Sequence, residues 1–317
     1  SIFGRFSWME AAPKYVEGGL PTVGLRDQLR RTRSLNISDT ITFRPNLINE
    51  FRFGIVRNYN PRQGPIHGPT IVRELGLEGL PPNLPDVNSL PTISITGFQT
   101  ISQIAYRTPA EMIFEYRDTL SWIKGRHSLR FGFDLRHNWI ANEPSSPSGA
   151  FGSFSFQNTF TGYSYADFLF GLPRTSSRLN PAPRYTASNL DAGLFLQDDF
   201  RVTKDLTLNL GLRYDLNPPY TEHNDRMFSF DPSAGAIVVP SAAATQAINP
   251  LFPAAIPVIT ADRSGLPASL RYADRINFAP RVGFAWRLRN TTVIRGGYGI
   301  YTDYSTGSLF AAQVGGP

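Results

Sequence analysis

The most constraining feature of this sequence is a strict alternation of apolar and polar residues. In the segment 206–214, every even-numbered residue is leucine or tyrosine, and the odd-numbered residues are threonine, asparagine, glycine and arginine. A helix would scatter those leucines around its axis, whereas a strand places them all on one side. The segment is therefore predicted to be a β-strand with one apolar face and one polar face.

The same alternation recurs along the chain. It is found at 51–55, 129–136, 194–202 and 281–288, with Asp198 interrupting the apolar face near the end of the third of these segments. The extended runs 126–142 and 188–201 exceed the roughly 5–6 residues that are usual for strands of soluble proteins. These lengths suit strands that cross a bilayer at a tilt.

The connections between the predicted strands alternate between short and long. The short ones carry turn residues and lie at 44–46, 124–126, 203–205 and 289–290. The long ones are rich in Pro, Gly, Ser and Asn and lie at about 10–33, 60–110, 143–185 and 218–276. A soluble sandwich has no reason to place every short turn on one side, whereas an outer-membrane barrel has short periplasmic turns and long extracellular loops. We therefore predict an all-β fold, a partial transmembrane antiparallel up-and-down β-barrel, with a soluble all-β protein as the alternative.

Nine wall strands are predicted. They lie at 1–9, 34–44, 47–59, 111–123, 127–141, 186–201, 205–217, 277–288 and 291–303. The segment 149–157 is expected to add a strand or a loop hairpin, and 165–172 is the only short helical candidate. Closed bacterial barrels have an even number of strands. We therefore expect 1–317 to be part of one barrel domain, without its signal peptide, plug or C-terminal strands.

Composition excludes several classes of site and partner. The chain has no cysteine, so disulfides, thiolate metal sites and a cysteine nucleophile are ruled out. The net charge of +6 indicates an acidic partner, which leaves nucleic acid, phospholipid and lipopolysaccharide open. Nucleic acid is disfavoured because stacking platforms interleave aromatic and basic residues on one face, whereas here they segregate to opposite faces.

Two adjacent segments carry a specific resemblance. Phe-Leu-Gln-Asp-Asp-Phe-Arg-Val-Thr at 195–203 and Leu-Thr-Leu-Asn-Leu-Gly-Leu-Arg-Tyr at 206–214 together resemble the signature hairpin of TonB-dependent outer-membrane receptors, most closely the Oar-like branch. Further stretches similar to that branch lie at 49–54, 121–132, 166–173, 277–286 and 293–301. The resemblance implies uptake of a bulky ligand, driven by TonB acting on a plug domain, in an outer membrane of lipid and lipopolysaccharide. The sequence shows no energy-coupling box, plug or terminal aromatic signal.

Seven arginines lie opposite the apolar faces, so a barrel would point them into its lumen. They are Arg52, Arg130, Arg136, Arg213, Arg281, Arg287 and Arg295. We hypothesise that they form a cationic inner wall that contacts an anionic ligand or the carboxylates of the plug. The alternative is an internal salt-bridge lattice with Glu115, Asp134 and Asp199.

No enzyme site is predicted. Asp198 and Asp199 are adjacent in a strand, so their carboxylates point to opposite faces and cannot act as an acid–base pair. The four histidines are in no metal-binding spacing, and we expect no cofactor. The remaining functional alternatives are a passive porin-like barrel and a secreted β-rich ligand-binding protein.

Overall fold

The structure is a computed structural model that describes residues 1–16, 20, 24–66, 74, 76, 90–103, 108–142, 152–177, 185–248, 250–303, 310 and 313–314. Its strands are β1 (Ile2–Ala11), β2 (Lys14–Val16), β3 (Leu25–Gln28), β4 (Arg30–Arg44), β5 (Leu47–Tyr59), β6 (Arg62–Gln63), β7 (Thr92–Ile95), β8 (Ala110–Lys124), β9 (His127–Asn142), β10 (Ser153–Phe156), β11 (Thr175–Ser177), β12 (Tyr185–Arg201), β13 (Leu206–Leu216), β14 (Thr221–Glu222), β15 (Ser229–Asp231), β16 (Ala236–Val239), β17 (Val258–Thr260), β18 (Phe278–Arg289) and β19 (Thr292–Gly299). Its helices are α1 (Ser164–Leu169), α2 (Ala242–Gln246) and α3 (Ala261–Ser264). No helix in these ranges is long and apolar enough to span a bilayer.

One large antiparallel sheet forms the body of the chain. Its strands follow the order β1-β4-β5-β8-β9-β12-β13-β18-β19, and β14 adds to β12. Neighbours in the sheet are therefore also consecutive among the long strands, which is the up-and-down arrangement. The nine predicted wall strands are confirmed, and β5 begins and ends where it was predicted to.

The strands of this sheet are strongly staggered. The row of directly opposed residues that starts at Leu47, the first residue of β5, reaches Val282 in β18. Val282 lies well above the end of β18 at Arg289. The seven residues from Val282 to Arg289 correspond to about 23 Å along the strand, and the five strand spacings from β5 to β18 correspond to about 24 Å across the sheet. The ratio of these two lengths gives a strand tilt of about 45°, at the upper end of the range for barrels.

The register joins like faces across the sheet. Directly opposed residues share a face, so Arg52, Arg117, Asp134, Gly193 and Asp215 form one polar row across five strands. The neighbouring residues of each strand form apolar rows on the other side. The leucines of that apolar side are exposed or half-buried rather than packed into a core. We call the first side the polar face and the second the apolar face.

The long connections contain small sheets and helices of their own. They form β2-β3-β6, β7-β10-β11 and β15-β16-β17, each with three strands. The predicted extra strand in 149–157 and the predicted helix at 165–172 correspond to β10 and α1. The prediction of a single helix was wrong, because α2 and α3 are too short, at five and four residues, to show a helical period.

Asp167 ties α1 to the turn before it. Its fully buried carboxylate accepts hydrogen bonds from the backbone N–H groups of Thr159, Phe160 and Thr161 and from the Thr161 hydroxyl. Burial raises the pKa of Asp167, but these hydrogen bonds to the charged form outweigh it and leave the pKa below its ordinary value. A charged aspartate therefore holds this loop together.

Asp231 performs a similar role at β15. Hydrogen bonds from Ser233 and Ser264 lower the pKa of Asp231 to about 2. A depressed pKa stabilises the folded loop at pH values above the unfolded pKa of about 3.9, and this contribution is lost as the pH falls towards 2. We expect limited proteolysis of the 229–264 loop to rise between pH 4 and pH 2, and Asp231→Asn to give that susceptibility already at neutral pH. Asp274→Asn, in an exposed irregular stretch of the same connection, should leave proteolysis of the 229–264 loop unchanged; equal susceptibility of both variants would contradict the assignment.

Candidate functional site

The polar face of the sheet encloses a recess of about 880 Å³. Its lining reaches from Glu50 in β5 to Tyr301 just beyond β19. A flat sheet would not place such distant strands around one recess, so the sheet is curved with its polar face inside. The charged side chains of the lining are Glu50, Arg52, Arg117, Asp134, Arg213 and Arg281.

Arg213 is the centre of an ion network in this recess. Its two terminal nitrogens donate to both carboxylate oxygens of Asp134, at 2.9 and 3.1 Å. The same guanidinium lies 2.7 Å from the carboxylate of Asp215. All three side chains are only partly exposed, so the pairing is better shielded from water than that of a surface salt bridge. This guanidinium is fully occupied by protein carboxylates.

Gly193 makes that network possible. Gly193 stands between Asp134 and Asp215 in the polar row, and Arg213 reaches over it to the next strand. A Cβ at this position would overlap the guanidinium of Arg213 and lie 2.9 Å from the Asp134 carboxylate. Because residue 193 has no side chain, the Arg213 side chain can pass over it to reach Asp134.

Two further arginines pair with acids on their own strands. Arg52 lies 2.7 Å from Glu50, and Arg117 lies 3.3 Å from Glu115. In each case the partner is two residues away, which places both groups on one face of a strand. These pairs are more exposed to solvent than the Arg213 network and are worth less.

The other five predicted arginines have no carboxylate within ion-pairing distance among the residues that the structure describes. They are Arg130, Arg136, Arg281, Arg287 and Arg295. The guanidinium of Arg281 instead stacks over the ring of Tyr301, with 4.7 Å between its central carbon and the ring centroid. The described part of the polar face therefore carries more positive than negative charge.

Of the alternative lattice with Glu115, Asp134 and Asp199, only Asp134 binds one of the seven predicted arginines. Glu115 binds Arg117, and Asp199 accepts from Asn209 at 2.6 Å rather than from an arginine. Asn209 is directly opposite Asp199 in the register, so the amide reaches that carboxylate first. The polar face is only partly neutralised by its own acids.

Sequence reasoning missed several residues of the recess. Three of the seven predicted arginines line it, namely Arg52, Arg213 and Arg281, and Arg117 joins them. Arg117 was overlooked because β8 has the weakest alternation, with Asp118 on its apolar face. Phe195 also lines the recess. The sequence did contain a signal for Phe195, because this residue alternates with Leu194 and Leu196 and so lies on the polar face of β12.

Within the described residues, no group of three or more His, Asp or Glu is placed to hold a metal ion.

Comparison with known proteins identifies this architecture. The family model described as an outer membrane beta barrel domain matches residues 1–316. The chain belongs to the outer membrane beta barrel domain family. No curated protein matches the chain.

One solved structure shares the fold at low sequence identity, and a second aligns with a lower score. The outer membrane transporter YddB from Escherichia coli aligns with a TM-score of 0.51 and 12% identity over 96% of this chain. The copper transporter OprC aligns with a TM-score of 0.47 and 13% identity over 96% of this chain. The chain spans 30% of the YddB chain and 34% of the OprC chain.

Membership of this outer-membrane family explains the apolar face. Leu194 and Leu212 are 58% and 48% exposed, and a face of such residues is unsuited to water but suited to lipid. The polar face is then the lumen wall, the short hairpins are periplasmic and the long connections are extracellular.

At the periplasmic end of β8, Trp122 lies on the lipid-facing side, with the ammonium of Lys124 4.9 Å from its ring centroid. Aromatic and basic residues of this kind typically mark the membrane interface.

Proposed function

We propose that this chain is the barrel portion of a TonB-dependent outer-membrane receptor of the Oar-like type that takes up a bulky ligand. The observation that carries the proposal is the lumen wall, where five arginines have no ion-pairing carboxylate among the described residues and one of them, Arg281, lines a recess of about 880 Å³. The signature hairpin at 195–203 and 206–214 supports the TonB-dependent class. The fold shared with the transporter YddB is consistent with it.

The lumen arginines meet either the ligand or the plug. A guanidinium presents a planar set of N–H donors that match carboxylate and phosphate groups. Arg281 has its guanidinium stacked on Tyr301 and makes no ion pair with a described residue, so its N–H edge can meet such a group. Arg136 and Arg130 stand on β9 on either side of Asp134 and extend the same cationic wall. The partners in this proposal are an anionic ligand, the plug and, through the plug, TonB. No catalysis, cofactor or nucleic acid is part of it.

The experiment is conductance of the protein purified from outer membranes and placed in planar bilayers, using KCl as the probe. A plugged receptor should show no steady conductance and should bind the periplasmic part of TonB in a pull-down. Once mild urea unfolds the plug, the open barrel should favour chloride over potassium. Arg130→Glu with Arg136→Glu should reduce that anion selectivity, because these variants reverse two charges of the wall. Asp205→Asn, in a periplasmic hairpin, serves as the control.

Each outcome separates the candidate functions. A steady open conductance without urea, together with no TonB binding, would instead establish a passive porin. A plugged barrel whose anion selectivity is the same in the double charge-reversal variant would retain the receptor but remove the arginines from its transport path.

A further inference from the structure

A second cationic feature lies on the opposite, lipid-facing side of the wall. One row of directly opposed residues there consists of Trp8, Arg33, Arg57, Met112 and Trp139. Each of these residues lies on the apolar face of its strand. On β1, β4 and β5, for example, they lie an even number of positions from the exposed apolar residues Phe6, Ile37 and Phe51. Two guanidinium groups with a tryptophan at each end of their row therefore face the membrane.

The height of this row places it at the extracellular edge of the membrane. Arg57 lies ten residues above Leu47, the first residue of β5 at the periplasmic hairpin. At about 3.3 Å per residue and a tilt of about 40–45°, that distance is roughly 25 Å, which equals the height of the lipid-facing band of transmembrane barrels. The next lipid-facing row below contains Phe6, Leu35, Ile55 and Phe114 and is wholly apolar up to β8.

The two arginines have no carboxylate partner of their own within the described chain. Arg33 and Arg57 are directly opposite each other in the antiparallel pair of β4 and β5, where like charges are destabilising. Neither has a carboxylate within ion-pairing distance among the described residues. The nearby Glu10 binds Arg31 at 2.8 Å and interacts with Arg33 only at longer range, beyond ion-pairing distance. An adjacent pair of exposed guanidiniums at the outer-leaflet surface is suited to bind an anion between them.

We propose that Arg33 and Arg57 bind the phosphate groups of a phosphorylated glycolipid in the outer leaflet. Its sugar lies against the ring of Trp8, one strand away from Arg33, and its acyl chains follow the apolar row of Phe6, Leu35 and Ile55 below. The outer leaflet supplies the occupant because the site combines phosphate-binding charge with a lipid-facing apolar surface directly beneath it. The proposal depends on the outer-membrane location of the barrel and is independent of TonB-driven uptake.

The test is the amount of phosphorylated glycolipid that stays with the protein purified from outer membranes in mild detergent. The double variant Arg33→Gln with Arg57→Gln should retain about tenfold less glycolipid per barrel, since each lost charge-assisted contact weakens binding several-fold. The matched control is Arg44→Gln with Arg289→Gln, which removes the same charge from two exposed arginines at periplasmic hairpins. Resistance of the folded band to SDS without heating shows that each variant is folded.

Two further measurements identify the source of the phosphate. Adding back the phosphorylated glycolipid should raise the unfolding temperature of the delipidated wild type and not that of the double variant. The dephosphorylated glycolipid and inorganic phosphate should have no such effect at equal concentration. Equal glycolipid retention by the double variant and the hairpin control would overturn the proposal, as would equal stabilisation by the dephosphorylated lipid.

Discussion

Replacing Gly132 with alanine is expected to prevent stable assembly of the barrel wall. Gly132 lies in β9 on the lumen side, directly opposite Thr119 of β8. A Cβ at this position would overlap the backbone carbonyl oxygen of Asp118 and lie 3.0 Å from the ring of Phe195. A backbone oxygen inside a strand ladder cannot rotate away as a flexible side chain does, so two strands must separate. We expect a loss of stability of about 3 kcal/mol or more, at the upper end of overpacking effects.

Gly211→Ala is the matched control for that prediction. Gly211 is on the same lumen face, and a Cβ there would find its nearest atoms at 3.7 and 3.8 Å, which is ordinary contact. Its effect should stay within about 0.5 kcal/mol. The measurement is the fraction of each variant that refolds into detergent micelles as a band resistant to SDS without heating. Equal refolding of the Gly132 and Gly211 variants would show that the β8–β9 approach is looser than described.

Removing the cation of the Arg213 network is expected to have the second largest effect. Arg213→Met leaves the carboxylates of Asp134 and Asp215 close together without their shared guanidinium. The charges are partly shielded from water, so we expect a loss of about 2–3 kcal/mol, somewhat less than for a fully buried pair. Asp134→Asn in the same chain should recover part of that loss, because it removes one of the two repelling charges.

The comparison that isolates the network is Arg281→Met. Arg281 is on the neighbouring strand and the same face but has no ion-pairing carboxylate among the described residues, only its contact with Tyr301. Its removal should cost about 1 kcal/mol or less. The readout is the temperature at which the SDS-resistant band is lost. If the Arg213 and Arg281 variants lose that band at the same temperature, the network contributes nothing specific.

The strands were predictable because alternation is a local property of the sequence. The predicted strand 127–141 agrees with β9 at His127–Asn142 to within one residue. The prediction failed at the start of β4, which begins at Arg30 rather than at residue 34, because Arg30 to Arg33 contain no apolar residue to show the period. The small sheets of the long connections were missed for a different reason. Their strands have two to four residues, too few to establish a pattern.

The faces of the candidate site were predictable, but its pairings were not. The alternation of residues in β13 was enough to predict that Arg213 lies on the face away from the leucines of that strand. Its bond to Asp134 joins residues that are 79 positions apart and depends on the registers of β12 with β9 and with β13. It also depends on the absence of a side chain at Gly193. A sequence pattern contains neither the register nor the space above a glycine, so a charge lattice could be expected but its members could not be assigned.

Cysteine accessibility along β13 in intact outer membranes tests most directly whether this strand spans the membrane with one face towards lipid and the other towards the lumen. The chain has no cysteine, so single substitutions report one position at a time. If β13 spans the membrane, a lipid-soluble maleimide should label cysteines at Leu208, Leu210 and Leu212, and a water-soluble maleimide should not. Cysteines at Thr207, Asn209 and Gly211 should react with the water-soluble reagent once the lumen is opened with urea. Labelling by the water-soluble reagent at all six positions, without alternation, would contradict a membrane-spanning wall with a wet inner face.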